Sequence, residues 1–248
     1  MRKIGILGCG AIGSLIAKAV ETGIIEHAEL ILYDYSAEKA STLHKSLRVK
    51  SRVVESLDEM INLQPSIIVE AASQQAVKNY LRKILRAKIE VIVMSVGALL
   101  DMNLDSPLIH FPSGAIGGID AIASARFAGI DEISLTTRKN PRTLNADKMK
   151  ETIVFEGDAP KAVKLFPREM NVAATLALTV RPKRVKVKVI SDPKIERNVH
   201  EIKVKWKYGD MLLNFENDPH PENPGTSALA AWSAINLLKN LLDDRNLT

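Results

Sequence analysis

Three glycines at fixed spacing, Gly8-Cys-Gly10-Ala-Ile-Gly13, follow directly on the apolar run Lys3 to Leu7. They lead straight into Ile12, Leu15, Ile16, Ala19 and Val20, an apolar stripe at helical spacing. In a strand-turn-helix context the first glycine permits a tight turn, the second lets backbone approach a diphosphate, and the third allows close helix-strand packing. The helix N-terminus then faces the phosphate charge. About twenty residues further on, a second apolar run ends in Asp34, whose carboxylate can accept hydrogen bonds from ribose hydroxyls. Gly8, Gly10, Gly13 and Asp34, with Ala11 and Ile12 inside the turn, predict a site for a nicotinamide dinucleotide. Asp34 favours NAD, since Tyr35 and Ser36 supply no arginine for a 2′-phosphate, while nearby Lys39 keeps NADP open. Cys9 sits in the same loop; with no partner cysteine in the chain it reads as a small filler rather than a redox group.

Redox chemistry on such a coenzyme also asks for a group that moves protons near neutral pH, a task suited to histidine. Of the five histidines, His200 opens a run in which His200, Ile202, Val204 and Trp206 share one face and Glu201, Lys203, Lys205 and Lys207 the other. An inward imidazole there is either a hydrogen-bonded core residue or a site residue. His220, between prolines, reads as a surface residue and second choice; His110, inside an apolar run, reads as structural; His27 and His44 read as surface residues. The stretch Ser113 to Gly118 has the composition of an exposed turn entering a helix, so the backbone of Ser113 and Gly114 and the Ser113 hydroxyl could hold a carboxylate or a carboxamide. Asn171 opens a helix of small residues and is either its cap or a ligand contact. Asn198, two residues before His200, either orients substrate or shapes the turn. The basic run from Arg181 to Lys188 alternates with valines, as the wet face of a strand does, so it does not identify a cation for an anionic substrate.

These residues need elements to position them. From Met1 to about Pro112, short apolar runs (Lys3 to Leu7, Leu30 to Tyr33, Ser66 to Val69, Val91 to Met94, Leu108 to Phe111, and weaker Arg52 to Val54) alternate with amphipathic stretches. That is the pattern of a parallel sheet covered by helices, a Rossmann dinucleotide-binding domain of the α/β class. The second half changes character. Glu132 to Thr137, Thr152 to Glu156, Arg184 to Ser191, His200 to Tyr208 and Met211 to Phe215 predict a mostly antiparallel, open mixed sheet, with helices at Ala159 to Leu165 and Asn171 to Leu178. Thr226 to Leu242 places Ala231, Ala234, Ile235, Leu238 and Leu241 on one helical face. We therefore expect a dinucleotide-binding domain over residues 1–110, completed by the helix 226–242, and an α+β substrate domain over 111–225, with the active site in the cleft between them.

Composition narrows the class further. A hydrophobic fraction of 46% without any apolar run long enough to span a bilayer argues against a membrane protein. Net charge is +5 but the basic residues are scattered, which suits anionic small molecules rather than nucleic acid. The apolar stretch after Met1-Arg2-Lys3 is broken by glycines and reads as no targeting segment, and one cysteine fits a reducing, cytoplasmic setting. No metal-ligand spacing is present.

Beyond the glycine turn, several strings resemble the L-aspartate dehydrogenase family of archaea and bacteria. They are Val69-Glu-Ala-Ala-Ser73, Ser95-Val-Gly-Ala-Leu99, Phe111-Pro-Ser-Gly-Ala-Ile-Gly-Gly-Ile-Asp120, Val154-Phe-Glu-Gly157, Phe166-Pro, Asn171-Val-Ala-Ala174, Asn198-Val-His200 and Pro221-Glu-Asn-Pro-Gly-Thr-Ser227. The resemblance spans both halves. It implies a homodimeric enzyme that oxidises L-aspartate to iminoaspartate with NAD or NADP; iminoaspartate hydrolyses to oxaloacetate and ammonia and also feeds NAD biosynthesis. It further implies His200 as the catalytic histidine and Ala115 and Asn171 among the coenzyme contacts; Ala72, Ser73 and Ser95 join the candidate coenzyme contacts, and Ser113, Gly114 and Asn198 are the candidate substrate contacts. Gly225 departs from the pattern, where lysine is expected. Rival readings are a dihydrodipicolinate reductase or homoserine dehydrogenase relative, and a non-catalytic NAD(H)-sensing module.

Overall fold

The computed structural model describes residues 1–102, 104–144, 149–220 and 223–243, without the side chains of residues 223–225. The chain divides into two compact units, Met1–Pro112 with Ala231–Thr248, and Ser113–Ala230.

In the first unit the apolar runs become strands and the amphipathic stretches helices, in strict alternation. They are β1 (Arg2–Leu7), α1 (Ala11–Glu21), β2 (Ala28–Tyr33), α2 (Ala37–Ser46), β3 (Ser51–Val53), α3 (Leu57–Asn62), β4 (Ile67–Glu70), α4 (Gln74–Arg86), β5 (Glu90–Val93), a 3-10 turn (Val96–Leu100) and β6 (Ile109–His110). The sheet has the order β3-β2-β1-β4-β5-β6, with every pair parallel. Ile67, Ile68 and Val69 of β4 are wholly buried, the continuous apolar run that a parallel strand covered on both faces demands. Helix α4 starts because the Ser73 side chain accepts from the Ala76 N–H at 3.1 Å, and it docks through Val77, Leu81 and Ile84. Chain order reverses at β1, with β2 on one side and β4 on the other. In such sheets the ligand crevice lies beyond the carboxyl ends of the strands at this point.

The second unit contains α5 (Ile119–Ala128), β7 (Ile130–Lys139), the single turn α6 (Pro141–Leu144), β8 (Thr152–Asp158), α7 (Ala159–Leu165), α8 (Asn171–Thr179), β9 (Lys186–Ser191), β10 (Asn198–Trp206), β11 (Gly209–Asn217) and the hairpin β12 (Pro219–His220) and β13 (Asn223–Ser227). Its sheet runs β11-β10-β7-β9-β8; β7 and β9 are parallel and the other pairs antiparallel, so the sheet is open and mixed as expected. Side chains alternate faces along each strand. Ile133 and Leu135, Val187 and Val189, and Ile202 and Val204 are buried on the face where α5 packs on β10 and α7 on β9. The opposite face is charged: Lys186 pairs with Glu132 at 3.8 Å and Lys188 with Glu156 at 3.4 Å. That is the wet strand face read from the basic run.

The last helix, α9 (Ala228–Asp243), begins two residues later than its pattern suggested, because Ser227 is still paired with Pro219 in the hairpin. Ala234, Ile235, Leu238 and Leu242 of α9 belong to the core of the first unit beside Ile4, Ile6 and Ile16. The same hairpin corrects the reading of His220, which is buried rather than on the surface. Pro221 and Glu222 of the family string lie outside the described residues, as do the side chains around the Gly225 departure.

Gly13 shows how tightly α1 is drawn onto β1. A Cβ built there would sit 1.9 Å from the Gly8 carbonyl oxygen, and backbone cannot yield as a flexible side chain does. Gly13→Ala is expected to cost about 3 kcal/mol, the upper end of overpacking penalties, read as a lowered urea midpoint.

Candidate functional site

At the carboxyl end of β1 the chain turns through Gly8, whose φ of +104° is left-handed. A Cβ on Gly8 would also strike the Ala71 and Ala72 backbone at 2.7 to 2.8 Å, so a side chain is excluded twice. Gly10 precedes α1 and differs in kind. A Cβ there meets nothing within 4 Å, so this side of the turn faces open space. No side chain caps α1 and no acidic residue occupies its first turn. The helix therefore presents amides and the positive end of its dipole to that space, which suits a diphosphate. Asp34, just past β2, accepts from the Cys9 N–H at 2.7 Å and the Ser36 N–H at 2.8 Å, which hold its carboxylate at the mouth of the turn. The donor set fits a dinucleotide: the amides around Ala11 and Ile12 for phosphate and Asp34 for ribose. Burial, with Asp34 adding to it, pushes the Cys9 thiol up to about 12, so it is a filler and not a nucleophile.

The sequence reading did not assign a role to Glu70, the last residue of β4. Its side chain is buried and accepts four hydrogen bonds: from the Ala72 and Ser73 N–H groups at 2.9 Å each, the Ser95 N–H at 3.0 Å and the Ser95 hydroxyl at 2.9 Å. Desolvation pushes this carboxyl up, and the four donors pull it back. Glu70 thereby ties together the loops after β4 and β5 that carry Ala72, Ser73 and Ser95, and the Ser95 hydroxyl is committed to it as a donor. Glu70 is the acid in the Val69-Glu-Ala-Ala-Ser73 string, and its position directly after a buried strand was the signal that could have revealed it.

In the second unit the covered face of the sheet changes character at one end. Thr137 and Lys139 close β7, Ser191 closes β9, and Asn198 and His200 open β10; all five are buried on the face that carries Ile133, Val187 and Ile202. Thr137 stands opposite His200, and its hydroxyl lies 3.1 Å from His200 Nδ1. Burial first, and the charge of Lys139 second, drive the His200 imidazole down to about 3, so the ring is neutral throughout the neutral pH range. Asn198 donates to Ser227 Oγ at 3.3 Å and pairs across the ladder with Asn217. Asn217 in turn donates to the Ala115 carbonyl at 2.9 Å. The turn that begins at Ser113 and Gly114 is thus anchored to the strand beside β10. Gly117 and Gly118 continue it, since a Cβ on Gly118 would meet Leu213 at 2.5 Å and one on Gly117 would touch the Phe215 ring at 3.4 Å. Phe215 is the ladder partner of His200. The structure therefore gathers Ala115, Asn198 and His200 around one end of β10. Asn171 is half-buried as the first residue of α8, one place inside the cap, which is Met170.

His110, His44 and His27 are engaged elsewhere. His110 bonds to Glu90 at 3.1 Å, His44 lies on the surface 2.7 Å from Ser51 Oγ, and His27 is exposed. Among the described residues no group of three or more His, Cys, Asp or Glu could hold a metal, and no helix is long and apolar enough to cross a membrane.

Residues 120–241 match the family described as aspartate dehydrogenase, C-terminal, and residues 8–111 match that described as homoserine dehydrogenase, NAD binding domain. Among curated relatives, the L-aspartate dehydrogenase of Methanosarcina mazei is 44% identical, with 98% of each chain covered. That of Methanocaldococcus jannaschii is 40% identical, again with 98% of each covered. Among solved structures, the aspartate dehydrogenase of Thermotoga maritima shares 27% identity and a TM-score of 0.77 over 97% of both chains.

Two outcomes test this geometry. Gly10→Ala should fold with wild-type stability, having open space for its Cβ, yet weaken coenzyme binding at least tenfold in a calorimetric titration by blocking backbone approach to phosphate. His200 titrates near 6.5 when unfolded and near 3 when folded, so the unfolded chain takes up the proton first and stability is lost as pH falls between those values. Urea unfolding below pH 6.5 should therefore show wild-type stability falling faster than that of His200→Gln, by up to about 1.4 kcal/mol per pH unit.

Proposed function

The chain belongs to the L-aspartate dehydrogenase family, and on that premise we propose that it oxidises L-aspartate at the amine-bearing carbon with NAD or NADP, giving iminoaspartate and then oxaloacetate and ammonia. The observation that carries this reading is the buried, neutral His200 held by Thr137 in the unit that matches the family's C-terminal domain. A homoserine dehydrogenase relative accounts only for residues 8–111, and a sensing module has no use for a desolvated base.

The bound coenzyme supplies the acceptor for hydride from the α-carbon. Gly8, Gly10 and Gly13 shape the turn that holds its diphosphate, Ala11 and Ile12 offer amides, and Asp34 takes the ribose hydroxyls, an arrangement that favours NAD. Ala72, Ser73 and Ser95, braced by Glu70, continue the coenzyme surface, and the family resemblance adds Ala115 and Asn171 as coenzyme contacts.

Forming the C=N bond removes one proton from the substrate nitrogen, and adding water across it requires a base for the water. His200 serves either step. Donation from Nδ1–H to the Thr137 hydroxyl leaves Nε2 as the acceptor, and the ring's neutrality keeps that lone pair available. Asn198, two residues from His200 on β10, and Ser113 and Gly114, on the turn anchored through Ala115, are assigned to orienting the substrate. The same reading makes the enzyme a cytoplasmic homodimer, which light scattering would report as twice 27.3 kDa.

His200→Ala should lower kcat for L-aspartate by about 10²- to 10⁴-fold while calorimetric coenzyme affinity stays at the wild-type value. Unchanged turnover in that variant excludes the role.

A further inference from the structure

Aspartate differs from most amino acids in its second carboxylate, and the family match does not identify the group that recognises it. A site selects a substrate by bonding a group that competitors lack, because the analogue then leaves buried polar groups unmatched. The basic run Arg181 to Lys188 supplies no such group, since Arg181, Lys183, Arg184 and Lys186 are exposed.

Lys139 is different. Among the described residues it is the only lysine or arginine that is buried, at 2% exposure. It shares the covered face with Thr137, two residues back on β7, and its charge acts on the His200 ring. Across the β7–β9 ladder its partner is Ser191, fully buried, whose Oγ has no hydrogen-bond partner among the described residues. Paired residues of a sheet project to the same side, so the two side chains are neighbours on the covered face. An unmet buried hydroxyl is costly and calls for an explanation such as an absent ligand.

We propose that Lys139 and Ser191 form the subsite for the substrate's side-chain carboxylate, the lysine as counter-charge and the serine as hydrogen-bond donor, beside the imidazole that handles the proton. This deepens the proposed function and rests on it. A buried cation offers an anion a partner in low dielectric, where the attraction is far stronger than at the surface. Burial brings Lys139 down to about 8, with Glu169 opposing, so the side chain is still predominantly charged at neutral pH.

The test uses the full-length enzyme with saturating coenzyme, and compares wild type, Lys139→Met and Ser191→Ala. Both variants keep side-chain volume near the original and remove polar groups from the interior, so folding is preserved; thermal melts and coenzyme titration verify it. Two inhibitors of equal length, succinate and butyrate, differ only in a carboxylate against a methyl. Lys139→Met should raise the KM for L-aspartate and the Ki for succinate by about 10- to 100-fold and leave the Ki for butyrate unchanged. Ser191→Ala should raise the same two constants by about 2- to 10-fold. Wild-type constants for Lys139→Met, or equal losses for succinate and butyrate, would overturn the subsite. Failure of the wild type to oxidise L-aspartate would instead sink the dehydrogenase reading; calorimetric titration of succinate into wild type and Lys139→Met would then decide the anion subsite independently.

Discussion

Taking an ionisable group out of water is the constraint around which both units are arranged. A buried charge costs several kcal/mol unless hydrogen bonds or an opposite charge offset it, and Glu70 and Lys139 are the two most deeply buried Asp, Glu, Lys or Arg side chains among the described residues. They resolve it differently. Glu70 receives four donors from its own neighbourhood, so its cost is met within the fold and its effect is to hold two loops in place. Lys139 is opposed in its burial by the charge of Glu169, acts on a neutral imidazole whose protonation it disfavours, and lies across the ladder from Ser191. The first arrangement is structural, while the second is the one proposed to receive an anion.

Legibility in the sequence followed the range of the interactions. The glycine turn and Asp34 could be read because their requirements are local: a left-handed φ at Gly8, a backbone contact at Gly13 and an acid at a strand end. Inward-facing His200 could be read because β10 keeps a clean two-residue period from Asn198 to Val204. The mixed second sheet followed from the same periodicity. Glu70 escaped because it ends a run of apolar residues and its partners come from two other loops, one of them 25 residues away. Lys139 escaped because its strand was read only as far as Thr137. The third coordinate, β9 beside β7, is what turns Lys139 inward against Ser191. His220 was misread for the reverse reason: flanking prolines look like a loop, but a short hairpin buries the ring.

Placing the polar residues at one end of a sheet reconciles stability with chemistry. The middle of the covered face keeps Leu135, Val187, Val189, Ile202 and Val204, whose burial contributes the hydrophobic stabilisation of the unit. Only where β7 and β9 end and β10 begins do polar side chains replace them. The strand ladder fixes their backbone positions to the precision of sheet hydrogen bonds, so an imidazole, an ammonium and two hydroxyls are positioned without a flexible loop carrying any of them.

In the proposed subsite, the charge of Lys139 acting on His200 would also couple binding to base strength. Two effects lower the affinity of His200 for a proton: burial, the larger, and the positive charge of Lys139. A carboxylate set against Lys139 cancels the second and leaves the first. The imidazole is then a stronger base with substrate bound than without it, so proton affinity rises when there is a proton to remove. In the free enzyme burial, with the lysine's charge adding to it, keeps the ring unprotonated. Burial alone would give a weak base in both states, and an exposed lysine would be screened too well to give any difference. The coupling therefore depends on both groups sharing one dry end of the sheet.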